Sequence, residues 1–341
     1  MTKWIAKSRV AHAVKGRISM SGIATIPRAH QANHSEIADF VELECLRRAD
    51  FNVSTMDVTR IMEREAERLS QDSIMQHVRE AINGIQERTR HVGTMGAKYP
   101  FKIDSTGDLV AFREDVSNTD KSIYIFLLLC TRLDMKSDRI HARHDASVLF
   151  EQLCSEVAKR LWGGATDERV KSIVFGTGRL AQGMRDEDEI DTRSFSDAVN
   201  SLCKQLNEGI EFDPKSPGKV TARDGKLDVV VWRSFSDCRE GQLIAFGQCK
   251  TGDHWEADLS KLQPDAFFSK WVRRHPAVLP LRLYFISDRA IDRWYDRSKD
   301  AGVLLDRCRI MEYCNELPHK LGENINKWVK AAANKHRLRM E

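Results

Sequence analysis

The chain has 341 residues, of which 30% are charged and 41% hydrophobic, and its formal net charge is +4. This is the balance of a globular protein with a sizeable core, and it excludes a polycation that grips nucleic acid through total charge alone. The longest apolar run, Ile123 to Cys130, is too short to span a bilayer and reads as a buried strand or helix segment. In chain order, residues 1–33 form a basic arm in which Lys3, Lys7, Arg9, Lys15, Arg17 and Arg28 precede any acid. Such an arm can contact phosphates with release of counterions or stay a solvated tail. An organellar targeting peptide is a third reading, although nothing marks a cleavage site.

Residues 34–145 read as a mostly helical N-terminal domain. Ile37, Phe40, Val41, Leu43 and Leu46 share a helical face, and the spacing continues through Met62–Leu69 and Ile74–Ile85, with Asn52 or Ser54 as a cap. Tyr99 to Arg113, with a turn at 105–108, reads as a β-hairpin. Residues 146–320 form a second domain, opened by a helix over Ser147–Trp162 that Asp145 caps. A strand at Val170–Phe175, a helix at 194–206 and apolar strands at 227–232 and 242–248 come next. A helical stretch at 255–274 that breaks at Pro264, a strand at 281–287, a helix after Asp288 and a strand over 303–311 complete the domain. Residues 321–341 read as a basic C-terminal helix or tail. The pattern predicts an α/β fold, a mixed central sheet flanked by helices, joined to a mostly helical N-terminal region. Eight cysteines without a CxxC pair fit small buried hydrophobes in a reducing compartment, so the cytoplasm is the expected location.

Two consecutive strands carry the candidate chemistry. Asp228 lies in the apolar run Leu227–Trp232, where a carboxylate is costly unless it is paired or binds a cation. The run Leu243–Lys250 ends with Gln248 and Lys250, which a strand places on one face with Cys249 on the other. Antiparallel pairing brings the three polar groups to one sheet edge. There Asp228, the Gln248 side-chain oxygen and the Cys249 carbonyl suit a hard cation such as Mg2+ or Mn2+. Lys250 suits orientation of a water or stabilisation of a phosphoryl transition state. Glu151, on the helix that opens the domain, is the fourth candidate.

A Glu on an opening helix, an Asp in an apolar strand and Gln-x-Lys closing the next strand resemble the PD-(D/E)xK nuclease superfamily, in its Mrr-type restriction endonuclease branch. The resemblance covers about residues 146–312. It implies that Asp228 and Glu151 bind metal, that Gln248 occupies a position usually acidic, and that Lys250 is catalytic. It further implies a restriction endonuclease-like fold and a Mg-dependent DNA endonuclease with a role in antiviral defence. DNA, a defence protein on another chain and a second copy of the same chain are then the expected partners, with no membrane.

Other signals compete. A non-catalytic nucleic-acid-binding or assembly module on the same fold is the alternative from a different class, with Asp228 and Lys250 reduced to an ion pair. Arg139 and His144 match the Arg-x4-His spacing of HEPN ribonucleases. His141 and His144 offer a His-x2-His pair, but no neighbouring Cys or acid completes a metal set, and polar residues leading into a helix is the plainer reading. The Gly-Thr-Gly at 176–178 imitates a dinucleotide fingerprint but runs into the acids of 186–191, which favours a turn. Trp255, Trp271 and Trp294 lie among cations and suit base stacking, although core or rim positions are commoner. No Gly-x-Ser-x-Gly, Walker or His-Glu-x-x-His pattern occurs.

Overall fold

The computed structural model describes residues 26–27, 32–64, 69–90, 93–175, 194–214 and 226–340. Most of the basic arm, the Gly-Thr-Gly at 176–178 and the acid run that follows lie outside the described residues. Helix α1 (His34–Arg47) starts behind Asn33, whose side chain accepts the Glu36 N–H. Strand β1 (Asn52–Ser54) then interrupts the helical stretch expected over 34–92. Ser54 caps α2 (Thr55–Glu63) in a reciprocal capping box with Asp57, and α3 (Gln71–Arg90) and α4 (Gly93–Lys98) follow. The expected hairpin forms from β2 (Phe101–Ile103) and β3 (Leu109–Phe112), and β1 pairs with β3 to give an antiparallel sheet ordered β1-β3-β2. The apolar run 123–130 belongs to α5 (Asn118–Arg132), buried from Ser122 to Thr131 because this helix is enclosed on every side.

A two-stranded hairpin, β4 (Ile140–His141) and β5 (His144–Asp145), leads into α6 (Ala146–Leu161), whose N-cap is Asp145. Next come β6 (Val170–Val174), α7 (Phe195–Leu206), β7 (Val229–Arg233) and β8 (Leu243–Lys250). The stretch at 255–274 divides into a 3-10 turn, Trp255–Asp258, and α8 (Pro264–Trp271), because proline is tolerated in the first turn of a helix and not within it. Strand β9 (Leu281–Ile286), α9 (Trp294–Ala301) and β10 (Val303–Leu305) follow. The last strand is shorter than the expected 303–311: Asp306 caps a new helix, α10 (Arg307–Glu312), that takes Ile310 and Met311. Helix α11 (His319–Lys335) buries Leu321, Ile325, Trp328 and Val329, so the basic C-terminal segment is packed into the molecule.

The central sheet is ordered β10-β9-β8-β7-β6. Strands β6, β7 and β8 form an antiparallel meander, and β9 and β10 add in parallel. The fold is therefore mixed α/β, with helices on both sheet faces. Val229, Val231, Ala245 and Phe285 pack into a core shared with α1, α5, α6 and α11, and that core extends from Ile37 to Leu338. Val230, Trp232, Ile244 and Phe246 face α7 and α8 instead. Beyond them, Tyr284, Ile286 and Leu304 pack with Trp255 and α9. No helix among the described residues is long and apolar enough to cross a membrane.

Candidate active site

The pleat of β8 sorts its last residues onto two faces. Phe246 packs toward α7 and α8, while Ala245 and Cys249 pack toward α6. The Cys249 thiol hydrogen-bonds the Cys154 sulfur on α6, and burial pushes both thiols above their ordinary value. They are packing groups, and the polar residues on either side of Cys249 are left on the other face.

The β7–β8 register ends where Val229 pairs with Gly247, and Asp228 adjoins that pair. Asp228 sits one residue before β7 and not inside it. Its N–H donates to the Gly247 carbonyl (2.9 Å) and its carbonyl accepts the Phe175 N–H (2.7 Å), so it is fixed between the ends of β6 and β8. Its carboxylate accepts the Cys249 N–H at 2.8 Å. The contact recorded between Cys249 and Asp228 thus runs through the amide N–H, whereas the sequence reading used the Cys249 carbonyl. Burial raises the Asp228 carboxyl from an ordinary value of 3.8 to about 6, against the opposing pull of the Cys249 N–H and the Lys250 and Lys226 charges.

Gln248 is 1% exposed, and its Oε1 is buried with no hydrogen-bond partner among the described residues. Buried acceptors are almost always satisfied. An orphan amide oxygen and a desolvated carboxyl at the same end of the sheet are both groups that a cation would suit. Lys250 ends β8, and its Nζ lies 2.6 Å from Asp258 Oδ2. Lys261 shares the same carboxylate. Burial pushes the Asp258 carboxyl up, but the hydrogen bonds from Lys250 and Lys261 outweigh it and hold the group below its ordinary value.

Asp258 is a site residue that sequence reasoning missed. Its place depends on how the chain after β8 folds back. Gly252 N–H donates to the Cys130 carbonyl (2.9 Å) at the end of α5. Trp255 Nε1 donates to Asp288 Oδ2 (3.1 Å), and the Tyr284 hydroxyl donates to the Trp255 carbonyl (2.8 Å). Tyr284, in register with Gln248 on the neighbouring strand, was also missed. No local pattern marks either residue, since each contact joins separate elements.

Glu151 is half-buried on α6, and its charge raises the thiols of Cys154 and Cys249. It reaches the strand ends from the α6 side, while Gln248 and Lys250 occupy the opposite face. Asp228, Gln248, Cys249 and Lys250 are thus brought together, with Glu151 beneath them. Among the competing signals, Arg139 pairs with Asp145 (3.0 Å), and His144 lies on β5 opposite His141. That places them on a hairpin and not across two helices. Trp255 and Trp271 are core residues, and the rings of Trp255, Trp271 and Trp294 are covered by Arg297, Lys270 and Arg309 respectively. Comparison of the chain with protein-family models, curated proteins and solved structures yields no match.

Proposed function

We propose that this chain is a divalent-metal-dependent DNA endonuclease with a restriction endonuclease-like core built on α6, β6, β7, β8 and β9. The observation that carries the reading is the presence, at one end of the sheet, of Asp228 with its desolvated carboxyl and Gln248 with its unpartnered oxygen. Lys250 follows on the same strand face. A carboxylate and an amide oxygen are hard ligands, and both are groups that the fold leaves short of partners, so the donor set fits Mg2+ or Mn2+. Asp228 and Gln248 would hold the ion, with Glu151 on α6 as the further acid. A bound ion of this class polarises a phosphate and makes a bound water a better nucleophile at neutral pH. Lys250 stabilises charge that develops on the phosphoryl oxygens, and Asp258 positions its ammonium. A preorganised donor of this kind is worth about 10²–10³ in rate.

The test is direct. Purified protein should nick or cut DNA with Mg2+ or Mn2+ and stop on addition of EDTA. Lys250→Ala should lower cleavage by roughly 10²–10³ while leaving the far-ultraviolet circular dichroism unchanged. Cleavage by that variant at the wild-type rate removes the assignment. The Lys250–Asp258 ion pair favours a second reading, a nucleic-acid-binding module without catalysis. DNA binding that persists with no cleavage in either metal selects it. Metal-independent RNA cleavage lost in His144→Ala would instead select the ribonuclease reading.

A further inference from the structure

A second group of ligand-type side chains lies at the end of α11, separate from Asp228. Asp138 precedes the β4–β5 hairpin, His141 is on β4, and His336 caps the C-terminus of α11. The three residues are 8%, 8% and 5% exposed. One ligand atom from each lies within 4.8 Å of the others. His336 Nε2 is 2.9 Å from Asp138 Oδ1, and His141 Nε2 is 3.5 Å from the same oxygen. His141 Nε2 is aimed at this point, is buried, and has no hydrogen-bond partner among the described residues. A buried nitrogen left without a partner is destabilising unless something ligates it.

We infer that Asp138, His141 and His336 form a structural zinc site that clamps the end of α11 to the β4–β5 hairpin. Two imidazole nitrogens and one carboxylate are a donor set for a borderline ion such as Zn2+ and not for Mg2+, with solvent left to complete a tetrahedron. The surroundings orient the ligands as second-shell groups do. The His141 ring also engages the Asp138 backbone and packs edge-on against Trp328, with centroids 5.1 Å apart. Ser137 Oγ donates to Asp138 Oδ2 (3.2 Å). Ligation at His336 Nε2 leaves the ring proton on Nδ1, so the imidazole stays neutral. One group competes for the place: Lys335 Nζ lies 2.5 Å from Asp138 Oδ1, on a side chain that is 52% exposed and free to swing into solvent.

The competition makes the inference testable on the full chain. After treatment with chelator and dialysis, titration with Zn2+ should fill one equivalent that excess Mg2+ does not displace and that raises the melting temperature. Co2+ should give the visible absorption of a tetrahedral site. His141→Gln and His336→Gln should each remove this equivalent, and Asp228→Asn should leave it intact. Lys335→Met, at an exposed position, should tighten Zn2+ binding. The inference is overturned if the wild-type chain takes up no stoichiometric Zn2+, if the histidine variants bind as the wild type does, or if Lys335→Met leaves the affinity unchanged.

Discussion

Asp228 is the residue whose surroundings are least comfortable for its own charge. Its carboxyl is raised from 3.8 to about 6, so without metal the fold favours the protonated form. The linkage follows in sign: this group's contribution to stability is largest below about pH 4, declines as pH rises towards 6, and is then flat. Thermal melts in EDTA should therefore show the wild type losing stability over that interval relative to Asp228→Asn. On the proposed function, saturating Mg2+ should cancel or reverse the difference, because such an ion would bind the ionised carboxylate. A difference between the two proteins that is independent of pH contradicts the described environment. Asp228 itself was legible in the sequence, as a charge in an apolar strand that needs a reason to be there. Asp258 was not, because a carboxylate in a polar loop carries no such contradiction.

At the scale of elements, the site rests on how closely β7, β8 and β9 approach. Gly247 stands between the two residues that matter, opposite Val229 and beside β9. A Cβ there would lie 3.0 Å from the Phe285 ring and 3.3 Å from the Val229 Cβ. Gly247→Val should overpack this point, costing about 1–3 kcal/mol in urea denaturation. Through the shifted register it should also lower metal-dependent cleavage by more than the loss of folded protein explains. Continuous apolar runs identified β7 and β8, which are buried on both faces, and helical spacing identified α6, whose single buried face leaves a clear imprint on the sequence. Where an element is buried all round, as α5 is, periodicity vanishes and strand cannot be told from helix. Strand β10 was read too long for a related reason. Val303 to Met311 is apolar enough for a strand, but the Asp306 side chain accepts the Arg309 N–H and starts α10.

For the whole molecule, the decisive feature is a buried charge network that joins α1 to α3, α5 and α10. Asp39 is fully buried and accepts two hydrogen bonds from Arg307 (2.8 and 2.9 Å), one from Arg88 (2.9 Å) and one from Arg132 (2.7 Å). Glu42, also fully buried, takes Arg88 and the hydroxyls of Tyr99 and Tyr124. Burial alone would push the Asp39 carboxyl up, but Arg307, Arg132 and Arg88 hold it well below the usual carboxylate range. Removing one partner from such a network leaves unpaired buried charge, so Asp39→Asn should cost roughly 3–5 kcal/mol. Chemical denaturation should report that loss as a lower midpoint. A change within 0.5 kcal/mol, the scale of an ordinary surface substitution, contradicts the network's role. The same network touches Asp288, which holds Trp255 and with it the turn that carries Asp258.

By itself the sequence determined the α/β class, the order of most elements in 146–320, and the placing of Asp228, Gln248 and Lys250 at consecutive strand ends. Each of these follows from local period, turn chemistry or the cost of a charge in an apolar run. Tertiary structure alone decided the contacts that join distant segments: Lys250 with Asp258, Asp39 with Arg307, and His141 with His336 across 195 residues. It also decided that α1 buries Asp39, Glu42 and Glu44 and that α11 is packed in the core. The His-x2-His motif shows the limit most clearly. It read as polar residues before a helix; in the fold His144 pairs with His141 on the hairpin, and His141 alone of the two meets Asp138 and His336, the last from far along the chain. Spacing along the chain records which residues share a helix or strand face, but it holds no record of which faces meet.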